Sequence, residues 1–117
     1  MVAERVPYEP APAQLRRDFS LSRERMARLI DVSAKTVERW EQHGLPAGAS
    51  PRIRLQLAQI QEIRDLGLCI YTPKGFATFL KSPLPTFAGR TPLQMIEQGR
   101  TEDVMAALAA DYEGLGF

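Results

Sequence analysis

The chain has 117 residues, enough for one compact domain or two very small ones, and its 44% hydrophobic and 25% charged residues are an ordinary globular composition. No apolar run approaches the roughly 18 residues that a membrane span needs, which excludes a membrane-spanning protein at the level of sequence. The net charge of +1 hides an asymmetry, because residues 14–54 carry nine basic against five acidic side chains and residues 55–117 carry five against seven.

The N-terminal segment, residues 1–13, is predicted to be a flexible arm because it holds three prolines and shows no hydrophobic period. A signal peptide has an apolar core at this place, whereas this segment has prolines and glutamates, so it is not predicted to be one. Cys69 is the only cysteine, so no internal disulfide is possible, and a reducing compartment is expected. We therefore predict a cytoplasmic protein in which Cys69 acts as a small buried hydrophobe.

The pattern is helical almost throughout from Gln14 onward. Ser22 is a good N-cap for a first helix, and a second helix is predicted from Ala34 to about Gln42. Ser50, followed by a proline that the first turn of a helix tolerates, starts the longest helix, and Gly67 is expected to end it.

Three short capped helices are predicted in the rest of the chain, at 73–81, 92–98 and 102–113. Thr72 and Thr91 each precede a proline at a helix start, and Gln94 is placed to complete a capping box. Thr101 is expected to cap the last helix. No alternating strand pattern bounded by turns is present, so the sequence predicts an all-α protein of six or seven helices.

Residues 23–44, RERMARLIDVSAKTVERWEQHG, have the spacing of a helix-turn-helix. Ala27 is small where the second helix must cross the first closely. Asp31, four residues on, is one of the few residues besides glycine that readily adopt the left-handed geometry of the turn. Val37 and Trp40 would then pack the second helix into the core.

Burial of Val37 and Trp40 turns the start of the second helix outward. That part of a recognition helix contacts base edges and phosphates in DNA. The candidate DNA-binding residues are Ser33, Lys35, Thr36 and Arg39, and flanking phosphate contacts are expected from Arg16, Arg17, Arg52 and Arg54. The alternative is a helical pair with a solvated basic surface that does not bind an operator.

This front half resembles the Xre-type, phage-repressor-like helix-turn-helix in MARLIDVSAKTVERW. It is also superficially similar to MerR-type regulators in VSAKTVERWEQHGLP and IQEIRDLG. Those regulators place an aromatic and basic wing between the two segments, and no such wing is visible in AGASPRIRLQ. The Xre-type resemblance is therefore preferred.

Residues 79–108, FLKSPLPTFAGRTPLQMIEQGRTEDVMAAL, resemble the C-terminal toxin-binding domain of the MbcA/ParS/Xre antitoxin family. The shared pattern is an aromatic-leucine helix end, a proline, a glycine-centred turn and a PL…G…V…L run. The matching residues are Phe79, Leu80, Pro83, Gly89, Thr91, Pro92, Leu93, Gly99, Val104 and Leu108. Phe79 departs from the family, in which tryptophan is common at this place.

This resemblance implies the antitoxin of a type II toxin-antitoxin system. Such an antitoxin covers the active-site entrance of a RES-domain toxin, an enzyme that destroys NAD, and represses its own promoter. The implied partners are the cognate toxin and operator DNA, with an antitoxin homodimer inside the larger complex. The implied domains are a helix-turn-helix region with its long helix at 14–67 and a toxin-binding domain at 68–117.

The candidate toxin-binding residues are Pro83, Leu93, Tyr112, Leu115 and Phe117. The last two belong to the C-terminal EGLGF, which either inserts into a partner's cleft or folds back onto the protein's own core. The competing hypothesis is a stand-alone regulator, Xre-like or MerR-like, whose back half dimerises or senses a ligand. An enzyme is not predicted, since the single histidine, His43, has no partner for catalysis or metal binding, and no catalytic residue, metal or cofactor is assigned.

Overall fold

The computed structural model describes residues 11–114, and in this part of the chain there are α-helices and a 3₁₀ turn but no β-strand. The helices are α1 (Pro12–Asp18), α2 (Arg23–Ile30), α3 (Ala34–His43), α4 (Pro51–Ile70), α5 (Pro73–Leu80), α6 (Pro92–Glu97) and α7 (Thr101–Gly114), with the 3₁₀ turn at Pro85–Phe87. The predicted all-α fold is confirmed. None of these helices is both long enough and apolar enough to cross a membrane.

Side-chain caps begin five of the helices. Each capping oxygen accepts a hydrogen bond from the backbone N–H three residues later, and the caps are Ser22, Ser33, Ser50, Thr72 and Thr91. At α6 the Gln94 side chain accepts from the Thr91 N–H in return, which completes the predicted capping box. All of these caps except Ser33 were predicted from the sequence.

The end of α4 differs from the prediction. The helix does not end at Gly67 but continues to Ile70, and Gly67 is buried. A Cβ atom at Gly67 would lie 2.2 Å from Cε1 of Phe76, well inside van der Waals contact. Glycine is therefore required here because the Phe76 ring of α5 packs against the backbone of α4, and not because the helix stops.

Two helix starts also differ from the sequence analysis. α1 begins at Pro12, so the last two residues of the predicted arm are helical, with proline in the first-turn position that it tolerates. Residues 1–10 of that arm lie outside the described residues. Thr101 is the first residue of α7 and is buried, whereas the sequence had placed it before the helix as a cap.

One hydrophobic core contains side chains from both predicted halves of the chain. α4 lies at its centre and packs most extensively against α7, with further contacts to α1, α2 and α5. Leu57, Ile60 and Ile63 form its buried stripe, as the spacing predicts. The predicted boundary between residues 67 and 68 falls inside this helix, so the division into two functional regions stays a prediction.

Cys69 corrects another expectation, because it is exposed rather than buried. It lies about 200° around the α4 axis from Gly67, which faces α5. The α4 surface at Cys69 is therefore turned away from the helix that covers Gly67.

The packing at Gly67 predicts that Gly67→Ala is destabilising by about 1–3 kcal/mol, although alanine is the better helix former. The added methyl group would have to displace the buried Phe76 ring. Urea unfolding followed by circular dichroism measures the change. Gly48→Ala is the matched control, because a Cβ there meets open space, and its stability should equal or slightly exceed that of the wild type. Equal stability of Gly67→Ala and the wild type would contradict this packing.

Candidate functional site

The connection between α2 and α3 has the geometry that the sequence predicts. Asp31 adopts a left-handed backbone with φ of 63° and ψ of 53°, and its N–H donates to the Ala27 carbonyl. Ala27, Val37 and Trp40 are all buried, with exposed fractions of 4%, 0% and 6%. The turn residue and the three packing residues thus fix how α3 crosses α2.

The outer face of α3 carries the candidate DNA-binding residues. Lys35 and Arg39 are exposed, and Lys35 has no hydrogen-bond partner among the described residues. The Ser33 hydroxyl caps α3 by accepting from the Thr36 N–H at 3.1 Å, and the two hydroxyl oxygens lie 2.9 Å apart. Arg39 Nη2 donates to Thr36 Oγ1 at 3.2 Å. The structure therefore joins Ser33, Thr36 and Arg39 in one hydrogen-bonded row beside the Lys35 ammonium group.

Most of the arginines predicted to flank this face hold the protein itself together. Arg16 pairs with Glu41, with Nη2 3.1 Å from Oε1. Arg52 donates to the carbonyl of the last residue of α2, and Arg54 donates to two carbonyls in the loop between α3 and α4. Arg17 is exposed and donates to a side chain one turn away on α1. Of the four, Arg17 is the one that, among the described residues, donates to neither a carboxylate nor a backbone carbonyl.

Glu41 links three helices through its two carboxylate oxygens. It accepts from Arg16 of α1 and, at 2.9 Å, from Arg23 of α2. The hydrogen bond from Arg16 lowers the pKa of Glu41 against the opposing effect of burial, and the same bond raises the pKa of Arg16. A carboxyl group with a lowered pKa stabilises the fold above its ordinary pKa and loses that contribution as the pH falls through the lowered value. The pairing of α1 with α3 therefore weakens in acid.

A groove of about 690 Å³ lies between α5, the 3₁₀ turn and α7. Its floor is made of the nearly buried Phe79, Phe87 and Met95. Its α7 wall is made of alanines, namely Ala106, Ala107 and Ala110. Because an alanine side chain extends by one carbon only, α7 leaves the space opposite the 3₁₀ turn unfilled.

Polar side chains stand at the rim of this groove. Tyr71 Oη donates to Asp111 Oδ2 at 2.8 Å, which ties the end of α4 to α7, and its ring stacks on Phe79 with centroids 5.3 Å apart. Arg100 and Asp103 also line the groove and form an ion pair at 2.7 Å. Burial, together with the Asp111 carboxylate, raises the pKa of Tyr71 to about 12. The Tyr71 hydroxyl therefore stays protonated and donating at neutral pH.

None of the described residues that were predicted to bind the toxin lines the groove. Pro83 is exposed and directly precedes Leu84, which lines the groove, and Tyr112 is half-buried on α7 beside Asp111. Leu93 corrects the prediction, because it is 1% exposed and packs in the core where α6 meets its neighbours, so its side chain is not presented to a partner. Leu115 and Phe117 lie outside the described residues.

The sequence analysis did not single out several residues that line the groove, namely Tyr71, Leu84, Ala106 and Ala110. The available signal was the spacing of alanines along α7, which places them on one side of the helix. An alanine face is equally typical of close helix packing, so the pattern by itself did not predict a groove.

Metal-ligating side chains are not clustered in the described part of the chain. Residues 11–114 contain no group of three or more His, Cys, Asp or Glu side chains that could hold a metal ion. His43 is exposed at the end of α3. The candidate functional surfaces described above are the basic face of α3 and the apolar groove.

Comparison with known proteins identifies a similar fold. No protein-family profile matches the sequence, and no curated protein sequence matches it. The structure is similar to a chain of the crystal structure of the M. tuberculosis MbcT–MbcA toxin–antitoxin complex, with a TM-score of 0.73 and 18% sequence identity. The similarity covers 89% of this chain and 92% of that chain. The fold implied by the sequence resemblance is thereby confirmed.

The burial of Tyr71 and its hydrogen bond to Asp111 predict a tyrosine that titrates late in alkaline solution. Tyrosine ionisation, followed by ultraviolet absorbance, should show one group that titrates near pH 12. That late step should be missing in Tyr71→Phe. A pKa raised in the folded state means that the bond stabilises the protein fully below the ordinary tyrosine pKa of about 10 and loses this effect as the pH rises towards the raised value.

Tyr112→Phe serves as the matched control and should keep the late step. If Tyr71→Phe retains a tyrosine that titrates near pH 12, the assignment of this bond is wrong.

Proposed function

We propose that this chain is the antitoxin of a type II toxin-antitoxin pair and that its partner is a RES-domain toxin that degrades NAD. The observation that carries the proposal is the similarity of fold, which extends over 89% of the chain to a chain from a toxin–antitoxin complex. The motif at residues 79–108, which resembles the toxin-binding domain of the MbcA/ParS/Xre family, supports the same assignment from the sequence alone.

The proposed toxin-binding surface is the groove between α5, the 3₁₀ turn and α7. Its apolar floor under a polar rim has the composition of a protein-binding patch, in which an anchoring side chain enters an apolar depression and polar groups surround it. An inhibitor that blocks the entrance to an enzyme needs a complementary shape and no reactive group of its own. The proposal accordingly assigns no catalytic residue and no cofactor to this chain.

The α7 wall of the groove leads directly into the C-terminal residues of the chain. Tyr112 follows Asp111, which lines the groove, and Leu115 and Phe117 follow in sequence. We keep these three residues and Pro83 in the proposed contact region. Leu93 is removed from it because it is buried.

Filling the groove should prevent toxin binding without unfolding the protein. Ala110 is exposed and lines the groove, so Ala110→Arg places a large side chain in the space that a partner would occupy. We expect at least about a tenfold loss of affinity for the toxin, which corresponds to about 1.4 kcal/mol, and loss of growth rescue on co-expression. Calorimetric titration with the proposed RES-domain toxin measures the affinity.

Ala58→Arg is the matched control, because Ala58 is an exposed alanine on α4 outside the groove lining. It should bind and neutralise the toxin like the wild type. Neutralisation by Ala110→Arg at wild-type strength would exclude the groove as the contact surface. Failure of the wild-type chain to bind the toxin would favour the stand-alone regulator instead.

We further propose that the antitoxin represses its own promoter by binding operator DNA with the outer face of α3. The basic excess of residues 14–54 supplies the charge, and Lys35 and Arg39 are exposed on that face. Ser33 and Thr36 extend the same row with hydroxyl groups. The bond from Arg39 to Thr36 holds the guanidinium group at the start of α3, where a recognition helix approaches base edges.

Arg39→Ala is expected to cost roughly 1–3 kcal/mol of operator affinity, because it removes a guanidinium group able to form two hydrogen bonds to guanine. Fluorescence anisotropy with the promoter fragment at fixed moderate salt measures this loss. Arg90→Ala, which removes an exposed cation from the back half, is the control. Toxin neutralisation by Arg39→Ala should be unchanged, and unchanged operator affinity would contradict the assignment of α3.

A further inference from the structure

A second pocket, of about 430 Å³, lies where α2 meets α5 and α6, and neither the toxin proposal nor the operator proposal uses it. Its lining includes three cationic side chains, Arg25, Arg28 and Lys81, and no carboxylate. The other polar residues of the lining are Ser20, Ser22, Thr91 and Gln94. The pocket thus combines positive charge with small polar groups where α2 approaches α5 and α6.

The polar side chains of the pocket that cap helices keep hydrogen-bond donors that the caps do not use. Ser22 Oγ accepts the N–H of Arg25 at 3.1 Å, and Thr91 Oγ1 accepts the N–H of Gln94 at 3.1 Å. A hydroxyl group that accepts such a bond still has its own proton to donate. Gln94 Oε1 accepts the Thr91 N–H at 2.8 Å, which leaves the NH₂ end of the amide to donate. The side chains of the pocket therefore have free O–H and N–H donors beside the three cations.

The positive charge of the pocket is only partly neutralised. Arg25 Nε lies 2.8 Å from Glu97 Oε2, yet this buried nitrogen makes no hydrogen bond of acceptable geometry. Lys81 Nζ donates to the Ser20 carbonyl at 3.2 Å, which orients the ammonium group without cancelling its charge. Arg28 is exposed and forms no ion pair within the described part of the chain. One carboxylate thus faces three cations.

We propose that this pocket binds a phosphate group, supplied either by a free phosphate compound or by the backbone of bound DNA. A phosphate has acceptor oxygens on every side, and guanidinium and ammonium groups bind it through short charge-assisted hydrogen bonds. A lining with three cations, several free O–H and N–H donors and no carboxylate favours such an anion over a cation. This site does not depend on the proposed toxin, and a phosphate bound here contacts both α2 and α6.

Titration of the full chain with sodium phosphate tests the site, with sodium chloride at matched ionic strength as the reference. NMR amide shifts should saturate with phosphate and should be largest at the starts of α2 and α6. Arg28→Gln and Lys81→Gln should each weaken phosphate binding by about tenfold, the loss expected for a charged hydrogen bond. Lys74→Gln, an exposed lysine outside this pocket, is the control and should bind phosphate like the wild type.

Binding to random-sequence duplex DNA at several salt concentrations identifies the source of the phosphate. If DNA supplies it, Arg28→Gln and Lys81→Gln should each reduce the slope of log affinity against log salt by about 1, and free phosphate should compete. If the ligand is a free phosphate compound, the DNA slope should stay unchanged while both variants lose the phosphate titration.

The proposal is overturned if the wild type shows no saturable response to phosphate beyond that to chloride and the two variants leave the DNA slope unchanged. Wild-type phosphate affinity in both variants, with an unchanged slope, overturns it equally.

Discussion

The approach of the Phe76 ring to the backbone of α4 at Gly67 is the contact on which the rest of the structure depends. Phe76 is fully buried, and its ring also meets Phe19 edge to face with centroids 5.4 Å apart. This one side chain therefore joins α5 to the central helix and to the segment that follows α1. Its position fixes α5, and α5 in turn places Phe79 in the floor of the groove. The two candidate surfaces are thus parts of one packed core and not of two loosely linked units.

Charge is divided between holding the fold together and facing outward. Glu41 accepts hydrogen bonds from Arg16 and Arg23, and Arg52 donates to a backbone carbonyl. Several of the basic side chains in residues 14–54 are therefore bonded within the protein. What remains exposed on α3 is Lys35 and Arg39. The net charge of residues 14–54 therefore overstates the charge that is free to meet DNA, although Arg17 and Arg28 are exposed in addition to the two cations on α3.

Features governed by neighbours along the chain could be predicted from the sequence. The caps at Ser22, Ser50, Thr72 and Thr91, and the left-handed turn at Asp31, follow from side chains within a few residues of the backbone groups they serve. The roles of Gly67 and Leu93 could not be predicted, because each depends on an element distant in sequence or on how a short helix is rotated. The groove arises in the same way, from alanines on α7 that face the 3₁₀ turn across the fold.

In the proposed arrangement the toxin and DNA bind different surfaces of one fold, so each partner should protect its own surface. Hydrogen exchange of the full chain, alone and mixed with the proposed RES-domain toxin, tests this most directly. We predict slower amide exchange in segments 71–87 and 100–114, with exchange in α3 unchanged by the toxin. Protection confined to α3, or exchange that the toxin leaves unchanged throughout, would contradict the proposal that this chain neutralises a toxin through its groove.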